Sequence, residues 1–185
     1  EKIERPVATI VTQVVVDRED PAMSNPTKFI GQFYTEEDAR RFASERGWTV
    51  RQDGDRGWRR VVGSPMPQSI VEGAVIRAMV QDGVIVIAAG GGGIPVCVEE
   101  DGTYEGVDVV VDKDRAAAVL GRAIGAELLL ILTAVDRVAI NFGKPNQQFL
   151  AKMSVGEARR YLTLGHFPDG SMGPKIDAAI RFIER

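Results

Sequence analysis

Val84–Val96, VIVIAAGGGGIPV, is the stretch on which the fold is decided. The apolar run from Val84 to Ala89 has the length of a strand buried on both faces, and it empties into four consecutive glycines before Pro95. The expectation is the centre of a parallel α/β sheet. Glycines at the end of such a strand let backbone N–H groups approach an anion that any Cβ would hold away, so Gly90, Gly91, Gly92 and Gly93 are candidate phosphate- or carboxylate-binding positions. The same cluster also reads as a turn that needs positive φ. It is not a dinucleotide fingerprint, because GxGxxG opens directly into a helix, whereas Pro95, Val96 and Val98 continue in an extended pattern.

On the N-terminal side, Thr9 to Val16 is β-branched and apolar and reads as one strand, followed by a loop-like DREDPAMSNPTKFIG that carries Lys28. Thr35 can cap a helix through Phe42 that Gly47 ends, and two short extended pieces follow, Trp48–Arg51 and Trp58–Val62. Residues 12–66 are expected to form a small excursion from the main sheet. Arg56, Arg59 and Arg60 in it are either a basic rim over a substrate or, as is commoner, a solvated hairpin face. Ser69 and Glu72 make a capping box for the helix that Gly83 stops before the central run, half of a right-handed βαβ crossover.

On the C-terminal side, Asp101-Gly102 is a hairpin signal. Asp112 can cap a helix from Lys113 to Ile124 that Gly125 ends, and Glu127–Leu132 reads as the next buried strand. Thr133–Gly143 is then the loop at that strand's carboxyl end, where open α/β sheets bind ligands. Ser154 and Glu157 repeat the capping box, and GHFPDGSMGPK leads into a last helix with Gly173 as cap and Pro174 at its first position.

With 185 residues, 44% hydrophobic and 26% charged, the chain can bury a real core. A net charge of −3 argues against a general nucleic-acid or anionic-membrane binder. No apolar run approaches the roughly 18 residues of a membrane span, and the expected location is cytoplasmic. One cysteine, Cys97, excludes an internal disulfide, and with a single histidine, His166, neither a zinc site nor a Cys–His nucleophile is expected. His166 beside Phe167 reads as a surface residue rather than a base. Both ends read as internal to a longer polypeptide.

Lys113 and Lys175 each fall in the first turn of a predicted helix, where the macrodipole disfavours a lysine by about 0.3–1 kcal/mol. A bound phosphate reverses that objection, since N–H groups and ammonium then converge on it. The alternative is a long side chain reaching into water. Asp114 either orients the lysines or merely favours the helix N-terminus. Lys28 is, on these grounds alone, an ordinary loop lysine.

NPTKFIGQFYTEEDA, RGWRRVV, AAGGGGIPV, the segment Val111-Asp112-Lys113-Asp114, LLLILTAVD, NFGKP and GSMGPK, in this order and spacing, resemble the carbamate kinases of the amino-acid kinase superfamily. The resemblance covers nearly all of the chain. It implies a three-layer αβα sandwich with a mainly parallel open sheet, a protruding α+β subdomain, and a homodimer. It implies reversible phosphoryl transfer between ATP and carbamate with Mg²⁺, giving ADP and carbamoyl phosphate, often in the arginine deiminase route. By motif, Lys28, Lys113 and Lys175 are the implied catalytic lysines and Asp114 their organiser, while Thr133, Asp136, Lys144, Met172 and Gly173 line the nucleotide site; no protein-held metal site is implied. Ala134 stands where relatives often carry Asp, and Phe29 where a proline is usual. The family's N-terminal strand with its glycine-rich GGN loop, and a C-terminal strand, are not in these 185 residues, so the activity of the isolated chain is left open. The rival readings are a non-catalytic nucleotide-binding or regulatory relative and another kinase of the superfamily acting on a carboxylate.

Overall fold

The computed structural model describes residues 4–168 and 170–184. The chain opens with β1 (Val7–Thr9), β2 (Gln13–Val16), the single turn α1 (Pro21–Ser24), β3 (Lys28–Tyr34), α2 (Glu36–Arg46), β4 (Val50–Gln52) and β5 (Trp58–Val62). Then come β6 (Pro67–Ile70), α3 (Gly73–Gln81), β7 (Ile85–Ile87), β8 (Ile94–Val98), β9 (Tyr104–Gly106) and α4 (Lys113–Ile124). The series closes with β10 (Val138–Ile140), β11 (Gln148–Leu150), α5 (Val155–Thr163) and α6 (Met172–Ile183). This is an α/β fold.

The two halves of the sheet are joined by two breaks that face each other. β1 runs parallel to β7 and β2 runs parallel to β8, so what the sequence offers as one strand, Thr9–Val16, is split and changes partner on the way. The glycine stretch interrupts the opposite side at the same level. Thr12, only 4% exposed, staples the two breaks: its hydroxyl accepts from the Ala89 N–H at 2.9 Å and donates to the Ile10 carbonyl at 3.0 Å. Its own carbonyl accepts from the Ile94 N–H at 2.8 Å. A polar side chain in the core is tolerated here because it supplies the partners that the interrupted ladders leave over.

β2 lies inside a four-stranded sheet of order β6-β2-β8-β9, and its valines Val14 and Val16 form the main core with Ile76 of α3 and Val111 and Ala116 at the start of α4. Cys97 is buried on β8, as its place in the extended pattern suggests. The pairing of β6 with β2 overrides the expected capping box. Ser69 is held in the strand opposite Val15, α3 starts only at Gly73, and Glu72 turns away to accept the Gln13 N–H at 2.8 Å. The remaining caps follow local chemistry: Thr35 and Gly47 bound α2, Asp112 and Gly125 bound α4, and Ser154 with Glu157 closes a reciprocal box on α5.

Residues 28–62 build a separate antiparallel sheet, β3-β5-β4, covered by α2 through the aromatic group Tyr34, Phe42 and Trp48. Two expectations meet different outcomes. β7 is shorter than the apolar run and exposes one face, with Ile87 54% accessible. Glu127–Leu132 forms no strand and pairs with none among the described residues, and Leu128, Leu130 and Leu132 stand 74–83% exposed. Alternation survives without pairing: Leu129 and Ile131 turn inward onto Ala118, Ala178 and Phe182.

Within the glycine stretch only Gly92 and Gly93 are demanded by packing. A Cβ on Gly92, whose φ is +121°, would lie 2.1 Å from the Val111 carbonyl oxygen, and one on Gly93, at φ +83°, 2.4 Å from Val14 Cγ2. Gly90 and Gly91 face open space. Gly92→Ala is therefore expected to cost on the order of 3 kcal/mol, combining left-handed strain with a backbone clash, whereas Gly91→Ala should stay within about 0.5 kcal/mol. Urea unfolding of the two variants beside the parent measures both; equal stabilities would contradict this account of the loop.

Candidate functional site

The site grows from the α4 N-terminus. Asp112 caps the helix: Oδ1 accepts the Asp114 N–H at 3.0 Å and the Arg115 N–H at 3.4 Å. Its other oxygen accepts from Lys28 Nζ at 2.7 Å, a residue 84 positions earlier in the chain. One carboxylate thus serves a local cap and a long-range ion pair. Burial pushes the Asp112 carboxyl up, but the Lys28 hydrogen bond and charge, with the two N–H donors, outweigh it and hold the group below its ordinary value.

Asp114, 8% exposed, gathers the other two lysines. Lys175 Nζ donates to its Oδ2 at 3.0 Å, and Lys113 Nζ stands 3.8 Å from the same oxygen. Lys175 is brought there by helix packing, with small residues letting α4 and α6 approach closely: Ala118 and Ala178 are fully buried, and Gly121 leaves the space that Phe182 fills. Arg115 crosses between the helices to Asp177 at 2.8 Å. The N-termini of α4 and α6 therefore open onto one region, and three ammoniums against two carboxylates leave it a net positive charge of one.

Two hollows meet at this point. A cleft of about 910 Å³ runs between the β3-β5-β4 sheet and the main body, lined by Lys28, Phe29, Arg56, Arg59, Asp112, Arg115, Gly173 and Pro174 among others. A second hollow of about 390 Å³ lies on the other side of Lys113 and Asp114 and is bounded by Ala88, Ala89 and Gly90. The structure thus brings Lys28, Lys113, Asp114 and Lys175 together and sets Gly90 next to two of them. Gly92 is buried against Val111, away from open space.

The remaining candidates separate. Gly173 lines the larger cleft; it is the second residue of α6, with Ser171 before the helix, so the cap falls two residues earlier than its sequence suggests. Met172 packs on the cluster of Ile140, Phe167 and Ile176. Thr133, Asp136 and Lys144 sit in the exposed connection before and after β10, Thr133 bonding locally to Val135, and no hydrogen bond or ion pair among the described residues joins them to Lys28, Lys113 or Lys175. His166 accepts the Asn141 N–H at 3.4 Å and meets Tyr161 edge-on, a packing role.

Sequence reasoning placed Lys28 in a loop; it is the first residue of β3, which gives it a fixed direction toward α4. It also passed over the long-range half of Asp112's role and the Arg115–Asp177 pair, for which spacing carries no signal. The arginines divide by strand alternation: Arg59 turns to the cleft with Arg56, sharing Asp53, while Arg60 points away to Asp108.

Against known proteins, a family model described as the amino acid kinase family matches residues 12–185. The chain belongs to the amino acid kinase family. It is similar to the carbamate kinase of Thermococcus kodakarensis, 54% identical over 182 residues that make up 98% of this chain and 58% of that protein. Escherichia coli YqeA, named a carbamate kinase-like protein, is 51% identical over 97% of this chain and 57% of its own length. Among solved structures, carbamate kinase from Giardia lamblia bound to AMP-PNP superposes with a TM-score of 0.84 at 43% identity, covering 97% of this chain and 57% of that one. This amino acid kinase chain therefore spans somewhat more than half the length of the relatives it matches.

The depressed Asp112 carboxyl fixes a pH dependence. A carboxyl whose folded pKa lies below its unfolded one contributes stability that is fully present above the unfolded value, roughly 3.9, and is lost as pH falls through the folded value. Asp112→Asn keeps a capping oxygen but removes the titration. The stability difference between parent and variant should be largest above about pH 5 and shrink toward pH 2; a difference that does not change with pH, in denaturant titrations across that range, contradicts the assignment.

Proposed function

We propose that this chain forms the phosphoryl-transfer site of a carbamate kinase, moving a phosphoryl group reversibly between carbamoyl phosphate and ADP. The observation that carries the reading is the set of three ammoniums organised by two buried carboxylates where two helix N-termini converge. Its support from outside is the name shared by relatives at 50–54% identity and the AMP-PNP held by the Giardia structure.

An anionic carbamate needs no general base to attack a phosphoryl group, so positioning and charge account for most of the catalysis. In an in-line transfer, negative charge spreads over the equatorial and leaving oxygens. Lys113 and Lys175, both paired with Asp114, and Lys28 are the donors that meet that charge, with the N–H groups of the first turns of α4 and α6. Gly90 offers an unobstructed backbone beside Lys113, and Gly91 after it is equally open. The nucleotide is assigned to the end of the large cleft that Gly173 lines, with Met172, Thr133, Asp136 and Lys144 as its further motif positions, and carbamate to the end beneath the β3-β5-β4 sheet, where Lys28 lies. The excursion expected over 12–66 is narrower, since β2 belongs to the main sheet.

Magnesium belongs to this reading as part of the metal–nucleotide substrate, where it neutralises phosphate oxygens. Among the described residues no group of three or more His, Cys, Asp or Glu side chains is gathered. No described helix is long and apolar enough to cross a membrane. A cytoplasmic homodimer working in arginine breakdown completes the proposal, on the family resemblance.

A second reading, a nucleotide-binding relative without turnover, is kept by Ala134 and by the carbamate kinase-like name of the Escherichia coli protein. ATP formation from ADP and carbamoyl phosphate, followed by luciferase in the chain or a longer polypeptide containing it, separates the two. The first reading expects Mg²⁺-dependent ATP; the second expects ADP binding without it. Lys175→Ala should lower kcat by a factor on the order of 10² or more with the fold retained, as loss of one preorganised contact does, while Lys152→Ala, at an exposed position, should change little. Equal activity of the two variants would remove Lys175 from the site.

A further inference from the structure

We propose that Asp112 is a positioning residue, whose carboxylate fixes the Lys28 ammonium, and with it the edge of the β3-β5-β4 sheet, at the place where the phosphoryl group is received. The inference rests on the phosphate site proposed above and goes beyond it by assigning work to a residue that otherwise reads as a helix cap.

The geometry carries it in three steps. First, the carboxylate cannot follow a moving lysine: Asp112 is 4% exposed, and Oδ1 is committed to the N–H groups of Asp114 and Arg115. Its position is therefore that of the α4 frame, the same frame that carries Lys113 and Asp114. Second, Lys28 is not a free arm. It is paired in register with Val62, and the preceding Thr27 N–H donates to the Val62 carbonyl at 3.1 Å, so holding its ammonium holds the strand pair. Among the described residues the other ion pair from this sheet to the main body, Arg60–Asp108, ends on an aspartate whose side chain is 81% exposed, a weak anchor. Third, the contact does not exhaust the lysine. An ammonium has three donors, of which Asp112 takes one, and the Lys28 side chain keeps 33% exposure on the cleft. Lys28 can therefore serve an anion without leaving Asp112.

That last point separates positioning from its opposite, in which Asp112 competes with the anion and keeps Lys28 away from it. Loss of a competitor would strengthen the interaction of Lys28 with phosphate; loss of a positioner weakens it.

The test is lysine acylation of the 185-residue chain, read residue by residue by mass spectrometry over a series of inorganic phosphate concentrations. In the parent, phosphate shields Lys28, Lys113 and Lys175 over one concentration range. Asp112→Asn retains the cap, since asparagine is as good at that position, and Asp112→Ser repeats the test with a different capping oxygen. In both variants Lys28 should be acylated faster without phosphate, and the phosphate needed to half-shield it should rise about tenfold, the scale of one charge-assisted hydrogen bond. Half-shielding of Lys175, whose partner is Asp114, should move less than about twofold, a selectivity that general loosening of the fold would not produce. A lower phosphate requirement at Lys28, or unchanged labelling of Lys28, overturns the role of Asp112 and leaves the phosphate site standing. Phosphate that shields none of the three lysines in the parent overturns both.

Discussion

Two like charges 4 Å apart repel by roughly 4 kcal/mol at an effective dielectric constant near 20, so an ammonium trio can be kept together only by something that neutralises it without filling its place. In this protein the neutralising groups are placed on a helix N-terminus, where carboxylates are welcome, and the ammoniums come to them from three elements. The order of construction matters. Asp112 and Asp114 are fixed by the cap and by burial, and the lysines, long and adaptable, are fixed by the aspartates.

Much of the remaining architecture serves that convergence. The small residues between α4 and α6 set the distance from Asp114 to Lys175, the register of β3 on β5 sets the approach of Lys28, and the break stapled by Thr12 delivers the glycine stretch to the side of Lys113. Arg115 with Asp177 keeps the helix ends in step. The cleft between the β3-β5-β4 sheet and the main body is spanned by the Lys28–Asp112 pair.

What the sequence revealed follows the range of the interactions concerned. Caps at Thr35, Asp112, Ser154, Gly47 and Gly125 act within four residues and are visible in the residues themselves. Lys113 and Lys175 stood out because a lysine in a first helical turn is locally unfavourable and calls for a reason. The Lys28–Asp112 contact spans 84 positions and has no local mark; only likeness to the carbamate kinases pointed to Lys28. Where local and distant demands compete, distance prevailed at Ser69, which the β2 pairing draws into a strand and away from a cap. The aliphatic run Glu127–Leu132 shows the reverse limit: composition reports the tendency to extend and to alternate, but not whether a neighbouring strand is there to meet it.

That last segment has a practical side. Between Glu127 and Asp136 there is no charge and no proline, and three alternate leucines of a segment that joins no sheet among the described residues face water. Natural sheets blunt such edges with lysine, proline or a bulge, because a bare aliphatic edge is a template onto which any other extended chain can crystallise. Here none of these residues interrupts the segment, and its leucines, the most exposed of the described large apolar side chains, join others such as Val11, Phe142 and Phe149 in facing water. Leu128, Leu130 and Leu132 thus form an apolar row whose tendency to associate a net charge of −3 opposes only weakly.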